Sequence, residues 1–179
     1  SPVVRGVRKK MLESLSGEGA ILLIGESGTG KERAARWIHQ ASRPLTSFVP
    51  FACGAVPDTL LESTLFGHVK GAFTDAEEDS PGLLRQTQNG TLFLDGLEDL
   101  SESAQATLLR FLQERSYSPL GSTESLDFTG RILSAVQPQA FEEKSIREDL
   151  VHRLAVLPIT IPPLRERIQD VPLLVSRLL

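Results

Sequence analysis

The chain runs Gly25-Glu26-Ser27-Gly28-Thr29-Gly30-Lys31-Glu32 directly after the apolar segment Ala20–Ile24. This order predicts a buried strand, a glycine-rich turn and a helix that begins at Lys31. Glycines suit such a turn because backbone N–H groups must close around phosphate oxygens, and a Cβ would block that approach. The helix N-terminus adds partial positive charge, and the Lys31 ammonium can reach the outer phosphates. Glu32 stands where the general phosphate-binding loop has a Ser or Thr that binds Mg²⁺.

Strands and helices alternate along the rest of the chain. Apolar runs predict strands at 20–24, 48–51, 91–94, 131–136 and 157–161, and spacing and caps predict helices at 4–15, 31–41, 58–66, from about 101, and 142–154. Such alternation is typical of an α/β fold with a mostly parallel sheet and helices on both faces. Ligands in these sheets bind at the carboxyl ends of strands, where Gly25 and Asp95 stand.

The bulk properties are those of one globular domain of 179 residues, with 40% hydrophobic and 23% charged residues. There is no signal peptide and no apolar run of membrane-spanning length, so we expect a cytoplasmic protein. The single cysteine, Cys53, excludes an internal disulfide and is interpreted as a small core residue. The net charge of −4 argues against a DNA-binding segment, and the three histidines lack metal-ligand spacing.

The string GESGTGKE at 25–32 resembles the AAA+ domain of bacterial enhancer-binding activators, which act on the sigma-54 form of RNA polymerase. The resemblance covers nearly the whole chain. It implies the large α/β subdomain of an AAA+ P-loop NTPase at 1–163, followed at 164–179 by the start of a small helical lid. We expect an excised piece of a longer regulator. The implied cofactors are ATP or ADP with Mg²⁺, and the implied nucleotide-binding residues are Gly25, Glu26, Ser27, Gly28, Thr29, Gly30, Lys31 and Glu32.

The segment Leu92–Asp95 resembles a Walker B strand, whose terminal carboxylate, here Asp95, holds Mg²⁺. The family has a glutamate next, which polarises the attacking water, and this chain has Gly96. Glycine can accept no proton, and loss of a general base slows a reaction by roughly 10²–10⁴. Glu98 is an alternative base, although its displacement by two residues works against it. No catalytic residue is therefore assigned.

Two other positions depart from the family in the same region. The family carries an asparagine that hydrogen-bonds the catalytic glutamate, and this chain has Ala52 there. The two losses are mutually consistent and favour a real functional change. Gln137 stands where the family places a γ-phosphate-sensing asparagine and is one methylene longer; the alternative is a surface residue after a strand.

The segment Ile146–Leu154 is similar to the family's R-E-D-L-x-x-R-L motif. The resemblance implies that Arg147 and Arg153 act as arginine fingers on a neighbouring subunit's γ-phosphate, in a homo- or hetero-oligomeric ring. The alternative is a helix with local ion pairs to Asp149 or Glu148.

The segment Glu62–Ala76 resembles the family signature E-S-E-L-F-G-H-x-K-G-A-F-T-G-A, a surface loop that engages sigma-54. Phe73 and Thr74 are the contact pair implied by the resemblance, within an inserted loop near 68–81. Asp75 replaces a glycine; aspartate tolerates left-handed backbone angles, but it adds a negative charge at the tip.

The sequence thus predicts a degenerate family member, an ATP-binding, sigma-54-interacting domain of a two-component transcriptional regulator with weak or absent hydrolysis. One alternative is an active ATPase that remodels sigma-54 RNA polymerase with Glu98 as base. A second alternative is a sigma-binding module that has lost nucleotide. We expect sigma-54 RNA polymerase as partner, with no membrane and no direct nucleic-acid contact.

Overall fold

The computed structural model describes residues 2–178. Its helices are α1 (Pro2–Glu13), α2 (Lys31–Ser42), α3 (Asp58–Phe66), α4 (Gly82–Thr87), α5 (Glu102–Glu114), α6 (Gln139–Glu142), α7 (Glu148–Leu154) and α8 (Val171–Leu178). Its strands are β1 (Ile21–Ile24), β2 (Phe48–Ala52), β3 (Thr91–Asp95), β4 (Ser116–Tyr117), β5 (Leu126–Asp127), β6 (Arg131–Val136) and β7 (Leu157–Thr160). None of the helices in this range has the length and apolar character needed to span a membrane.

Five strands of the described chain form one parallel sheet in the order β2-β3-β6-β1-β7. Ile24 at the end of β1 lies opposite Val136 at the end of β6. Asp95 at the end of β3 lies opposite Ala52 of β2 and Ala135 of β6. The carboxyl ends of the strands therefore meet at one edge, and the predicted parallel sheet is confirmed.

Apolar side chains cover both faces of this sheet. Side chains alternate between the faces of a strand, so Ile21 and Leu23 join one buried cluster and Leu22 joins the other. The first cluster packs against α1 and α2, where Met11 and Ile38 contact it. The second cluster packs against α3, α4, α5 and α7. Helices on both faces are thus confirmed.

The predicted helix over 142–154 is wrong in its first part. The structure has α6 and α7, separated by the non-helical residues 143–147. The buried side-chain amide of Gln105 in α5 holds this segment, because it donates to the Ser145 carbonyl at 2.8 Å and accepts from the Arg147 N–H at 2.8 Å. A contact with another helix thus satisfies backbone groups that a continuous helix would have paired internally.

Some elements are absent from the sequence prediction. They are α4, which follows the predicted loop, and the antiparallel pair β4–β5, which lies between α5 and β6. Two-residue strands are too short to show a period in the sequence. The terminal residues Ser1 and Leu179 of the two predicted subdomain ranges lie outside the described residues.

Arg131, the first residue of β6, connects this strand to the segment that precedes β1. Its side chain is only 3% exposed. Its guanidinium donates to the Ser14 carbonyl at 2.6 Å and to the Gly19 carbonyl at 3.4 Å, so it joins the segment before β1 to the sheet. Burial lowers the pKa of this guanidinium.

Replacement of Arg131 by methionine keeps the apolar stem and removes the guanidinium hydrogen bonds to both carbonyls. We expect the free energy of unfolding in urea to fall by about 1.5–3 kcal/mol, the net contribution of hydrogen bonds from a charged donor. Arg110→Met is the matched control, because Arg110 is exposed and its ion pair within residues 2–178 is with Glu114 of the same helix. Equal loss in both variants would contradict a structural role for Arg131.

Candidate functional site

The phosphate-binding loop predicted at 25–30 joins β1 to α2. The N–H of Gly25 donates to the Val136 carbonyl at 3.1 Å, which fixes the start of the loop to the end of β6. Gly30 precedes the first residue of α2 and has φ +96°, a left-handed backbone angle that favours glycine. The sequence pattern therefore yields the predicted strand, loop and helix.

Lys31 folds back over this loop. Its ammonium donates to the carbonyls of Gly25 at 2.7 Å and Glu26 at 3.1 Å. The Thr29 hydroxyl also donates to the Glu26 carbonyl, at 2.8 Å. These bonds close the loop on itself and place a positive charge at its mouth.

Two clefts flank the loop and share Ser27, Gly28, Gly30 and Arg33. The first, of about 900 Å³, lies along the carboxyl ends of the strands, and its other lining residues include Lys31, Glu32, Ala52, Asp95, Gly96, Glu98, Asp99 and Gln137. The second, of about 980 Å³, lies between α1, α2 and the segment after β7, and its lining includes Val7, Met11, Trp37 and Ile161. The first cleft is thus rich in charge, whereas the second has apolar walls together with charged side chains such as Arg8, Arg165 and Arg167.

The first cleft brings together most of the residues that the sequence singled out. Asp95 lies half-buried at the end of β3. Burial raises the pKa of its carboxyl above the ordinary value, and the nearby Lys31 ammonium opposes that shift. Ala52 lies beside Asp95 in the sheet register, on an exposed position.

Gly96 has φ +75° and ψ +55°, in the left-handed region. Its N–H donates to the Ala135 carbonyl at 3.2 Å, which continues the strand contact past Asp95. A β-carbon at this position would lie 2.6 Å from Oδ2 of Asp99. The left-handed backbone angle therefore strains a glutamate at this position, whereas the exposed Asp99 carboxylate can rotate away from it.

Glu98, the predicted alternative base, turns toward β6. Its Oε1 accepts from the backbone N–H of Gln137 at 3.1 Å. Its Oε2 is buried and has no hydrogen-bond partner among the described residues. Glu98 thus contacts the main chain of the predicted sensor residue.

The two predicted arginine fingers lie outside both clefts. Arg147 forms a two-bond ion pair with Asp149, with N–O distances of 3.0 and 2.8 Å. Arg153 donates from Nε and Nη2 to the Leu112 carbonyl of α5. The local ion pair considered from the sequence is present, and a role toward a neighbouring subunit stays a prediction.

The predicted sigma-contact loop is closed at its base by reciprocal backbone hydrogen bonds between His68 and Ser80, at 2.9 and 2.8 Å. Thr74 is exposed, and the Phe73 side chain is 37% exposed. The Phe73 ring meets the His68 ring edge-on, with centroids 4.9 Å apart. The acidic Asp75 is also exposed at the tip.

Two arginines missed by the sequence reasoning hold the phosphate-binding loop from outside. Arg165 forms a two-bond ion pair with Glu26, and its hydrogen bonds hold the pKa of Glu26 below the usual range. Arg167 donates to the Thr29 carbonyl at 3.0 Å. The pairs span 139 and 138 positions of sequence, so no local pattern could have indicated them.

Cys53 is buried behind the cleft, and the interpretation as a core residue is confirmed. Burial raises the pKa of its thiol to about 12, and the charges of Asp95, Asp99 and Glu98 add to the shift. The thiol is therefore protonated at neutral pH and does not act as a nucleophile.

A family model described as the sigma-54 interaction domain matches residues 1–160. The chain belongs to this family. The transcriptional regulatory protein GlrR of Escherichia coli K12 is 48% identical over 164 residues, which cover 89% of this chain and 37% of GlrR. The response regulator protein PilR of Pseudomonas aeruginosa is 42% identical over 183 residues, which cover 100% of this chain and 41% of PilR. The chain thus spans about two fifths of the length of these curated relatives.

Solved structures confirm the AAA+ P-loop NTPase fold of this sigma-54 interaction domain. NtrX from Brucella abortus, crystallised in complex with ATP, matches with a TM-score of 0.84 at 30% identity, over 98% of this chain and 40% of that one. The P-loop NTPase domain of a sigma-54 transport activator from E. coli matches with a TM-score of 0.57, over 90% of this chain and 95% of that one. At 21% identity, this second likeness shows the fold alone.

Replacement of Arg165 by alanine removes the ion pair that holds Glu26 in this sigma-54 interaction domain. We expect faster amide hydrogen exchange across residues 26–30, measured by mass spectrometry, because the loop loses an outside restraint. Arg36→Ala is the control, since it removes an equally exposed ion pair with Glu32 that lies within α2. Unchanged exchange in the Arg165 variant would show that the pair does not restrain the loop.

Proposed function

We propose that the chain is the ATP-binding, sigma-54-contacting domain of a bacterial transcriptional regulator, and that it hydrolyses ATP weakly or not at all. The observation that carries this proposal is an intact phosphate-binding loop facing Gly96. The loop supplies the donors for phosphate, while the position next to Asp95 carries no carboxylate. The family membership and the ATP complex of NtrX support the nucleotide.

The residues present fit a nucleotide with its magnesium ion. The charged cleft beside Lys31 suits the phosphates, and the apolar walls formed by Met11 and Trp37 suit the adenine ring. Mg²⁺ is usually held by one or two carboxylates together with phosphate oxygens, so Asp95 would hold it and the ion would neutralise phosphate charge. Clusters of three or more metal-ligating side chains are absent from residues 2–178, which agrees with a site completed by the nucleotide.

The absence of a carboxylate at Gly96 supports the proposal of weak hydrolysis. Positioning and electrostatic stabilisation dominate phosphoryl transfer, and the attacking water needs a group that orients it. The first alternative, an active ATPase that uses Glu98, is disfavoured because Gln137 N–H already binds that carboxylate. The second alternative, a module without nucleotide, is disfavoured by the closed loop and its Lys31.

The partner contacts are proposed on two surfaces. Phe73 and Thr74 would contact sigma-54 from the exposed loop. Arg147 or Arg153 would reach a neighbouring subunit in a homo- or hetero-oligomeric ring after leaving its present contact. The segment after residue 163, with α8, would begin a helical lid, and this domain would contact neither nucleic acid nor membrane.

Mg-ATP should raise the melting temperature of the full-length protein, because a ligand at 100 times its Kd stabilises the folded state by about 2.7 kcal/mol. Lys31→Ala should abolish the shift. Phosphate release should be slower by roughly 10²–10⁴ than in a relative that retains the glutamate. Turnover equal to that relative's would overturn the proposal, and the absence of any ATP-induced shift would favour the nucleotide-free module.

Phe73→Ala should weaken binding of the Mg-ATP-loaded protein to purified sigma-54, measured by biolayer interferometry, since it removes the exposed aromatic ring of the loop. Phe141→Ala is the control, because Phe141 is 38% exposed against 37% for Phe73. We expect at least a tenfold loss, roughly one hot-spot contact, in the first variant only. Equal affinities of the parent and both variants for sigma-54 would show that Phe73 does not contribute to that contact.

A further inference from the structure

The carboxylate of Asp99 fills the space beside Gly96. A β-carbon at position 96 would lie 2.6 Å from Asp99 Oδ2, and one at Gly54 would lie 2.9 Å from the same oxygen. A short 3-10 turn at Leu97–Asp99 produces this approach, because the Asp99 N–H donates to the Gly96 carbonyl at 3.0 Å. The turn thus brings the Asp99 carboxylate into the space beside position 96, where the glycine has no side chain.

The distance from Asp99 Oδ2 to position 96 is close to the distance that a glutamate's carboxylate has from its own β-carbon. Bond lengths place the carboxylate oxygens of a glutamate roughly 3 Å from its own β-carbon. Asp99 Oδ2, at 2.6 Å from the corresponding point at Gly96, lies within that reach. The Asp99 carboxylate is therefore as near to position 96 as a glutamate's own carboxylate would be, although it belongs to a residue three positions later.

The other three carboxylates of the cleft have different surroundings. Asp95 ends the strand and faces Lys31, Glu32 pairs with Arg36, and Glu98 accepts from the Gln137 N–H. Asp99 is exposed in the cleft, and within residues 2–178 its carboxylate accepts no hydrogen bond and forms no ion pair. Among the cleft carboxylates it is therefore the exposed one without a partner, and it is accessible to water.

We infer that Asp99 is the catalytic carboxylate of this site and sustains a slow ATP hydrolysis. This inference rests on the proposed function. Of the two possibilities stated there, weak hydrolysis and no hydrolysis, it specifies weak hydrolysis. Asp99 accepts a hydrogen bond from the attacking water and takes its proton as the water oxygen bonds to the γ-phosphorus. The bond from that phosphorus to the β,γ-bridging oxygen breaks, ADP leaves with the electron pair, and the proton then passes to solvent.

Phosphate release from Mg-ATP by the full-length protein tests this assignment, with Lys31→Ala as the background. Asp99→Asn keeps the shape and removes the proton acceptor, so turnover should fall by roughly 10²-fold or to background. Affinity for a fluorescent ATP analogue should stay within twofold of the parent. Asp127→Asn is the matched control, because Asp127 is exposed and lies outside both clefts, and it should retain the parent turnover.

Three results would overturn the assignment. They are a parent rate no higher than the Lys31→Ala background, full turnover in Asp99→Asn, and loss of turnover in Glu98→Gln alone. In each case nucleotide affinity reports separately on the ATP-binding part of the proposed function, which fails if the parent does not bind the analogue.

Discussion

The common end of the parallel strands is the constraint on which the site depends. Ile24, Asp95 and Val136 occupy matching ends of β1, β3 and β6, so residues distant in sequence meet at one edge. The hydrogen bonds from Gly25 and Gly96 to β6 extend this alignment by one residue beyond the strands. The buried apolar layers on both faces fix the sheet and thereby fix the spacing between the loop and the carboxylates.

The loop is held in shape by contacts that the nucleotide would partly replace. Lys31 donates to carbonyls of its own loop, and these bonds must be exchanged for bonds to phosphate. The affinity for nucleotide would therefore depend on the difference between the hydrogen bonds that Lys31 makes to phosphate and those that it gives up to the loop carbonyls. Arg165 binds the Glu26 side chain and Arg167 binds the Thr29 carbonyl. Both contacts come from outside the loop and need not be displaced. The loop can thus keep its backbone while its lysine changes partners.

Local patterns in the sequence predicted the sheet, the loop and most helices, because apolar runs and glycine spacing directly reflect burial and tight turns. They could not predict the break before α7, where the Gln105 amide of another helix binds the backbone. The sequence also identified Gly96 as the position that lacks a carboxylate. It missed Asp99, since only the left-handed angle at Gly96 and the short turn after it bring that side chain back.

The ion pair between Glu26 and Arg165 has a consequence for the order of folding. Its partners are 139 positions apart, and Arg165 follows β7, the last strand of the sheet within residues 2–178. Contacts of high sequence separation form late, because a long loop must be closed before they stabilise the chain. The emerging chain thus makes its glycine-rich loop early but cannot restrain it until β7 has joined β1. On the proposed function, capture of nucleotide in the finished geometry would accordingly be a late event in the maturation of the domain.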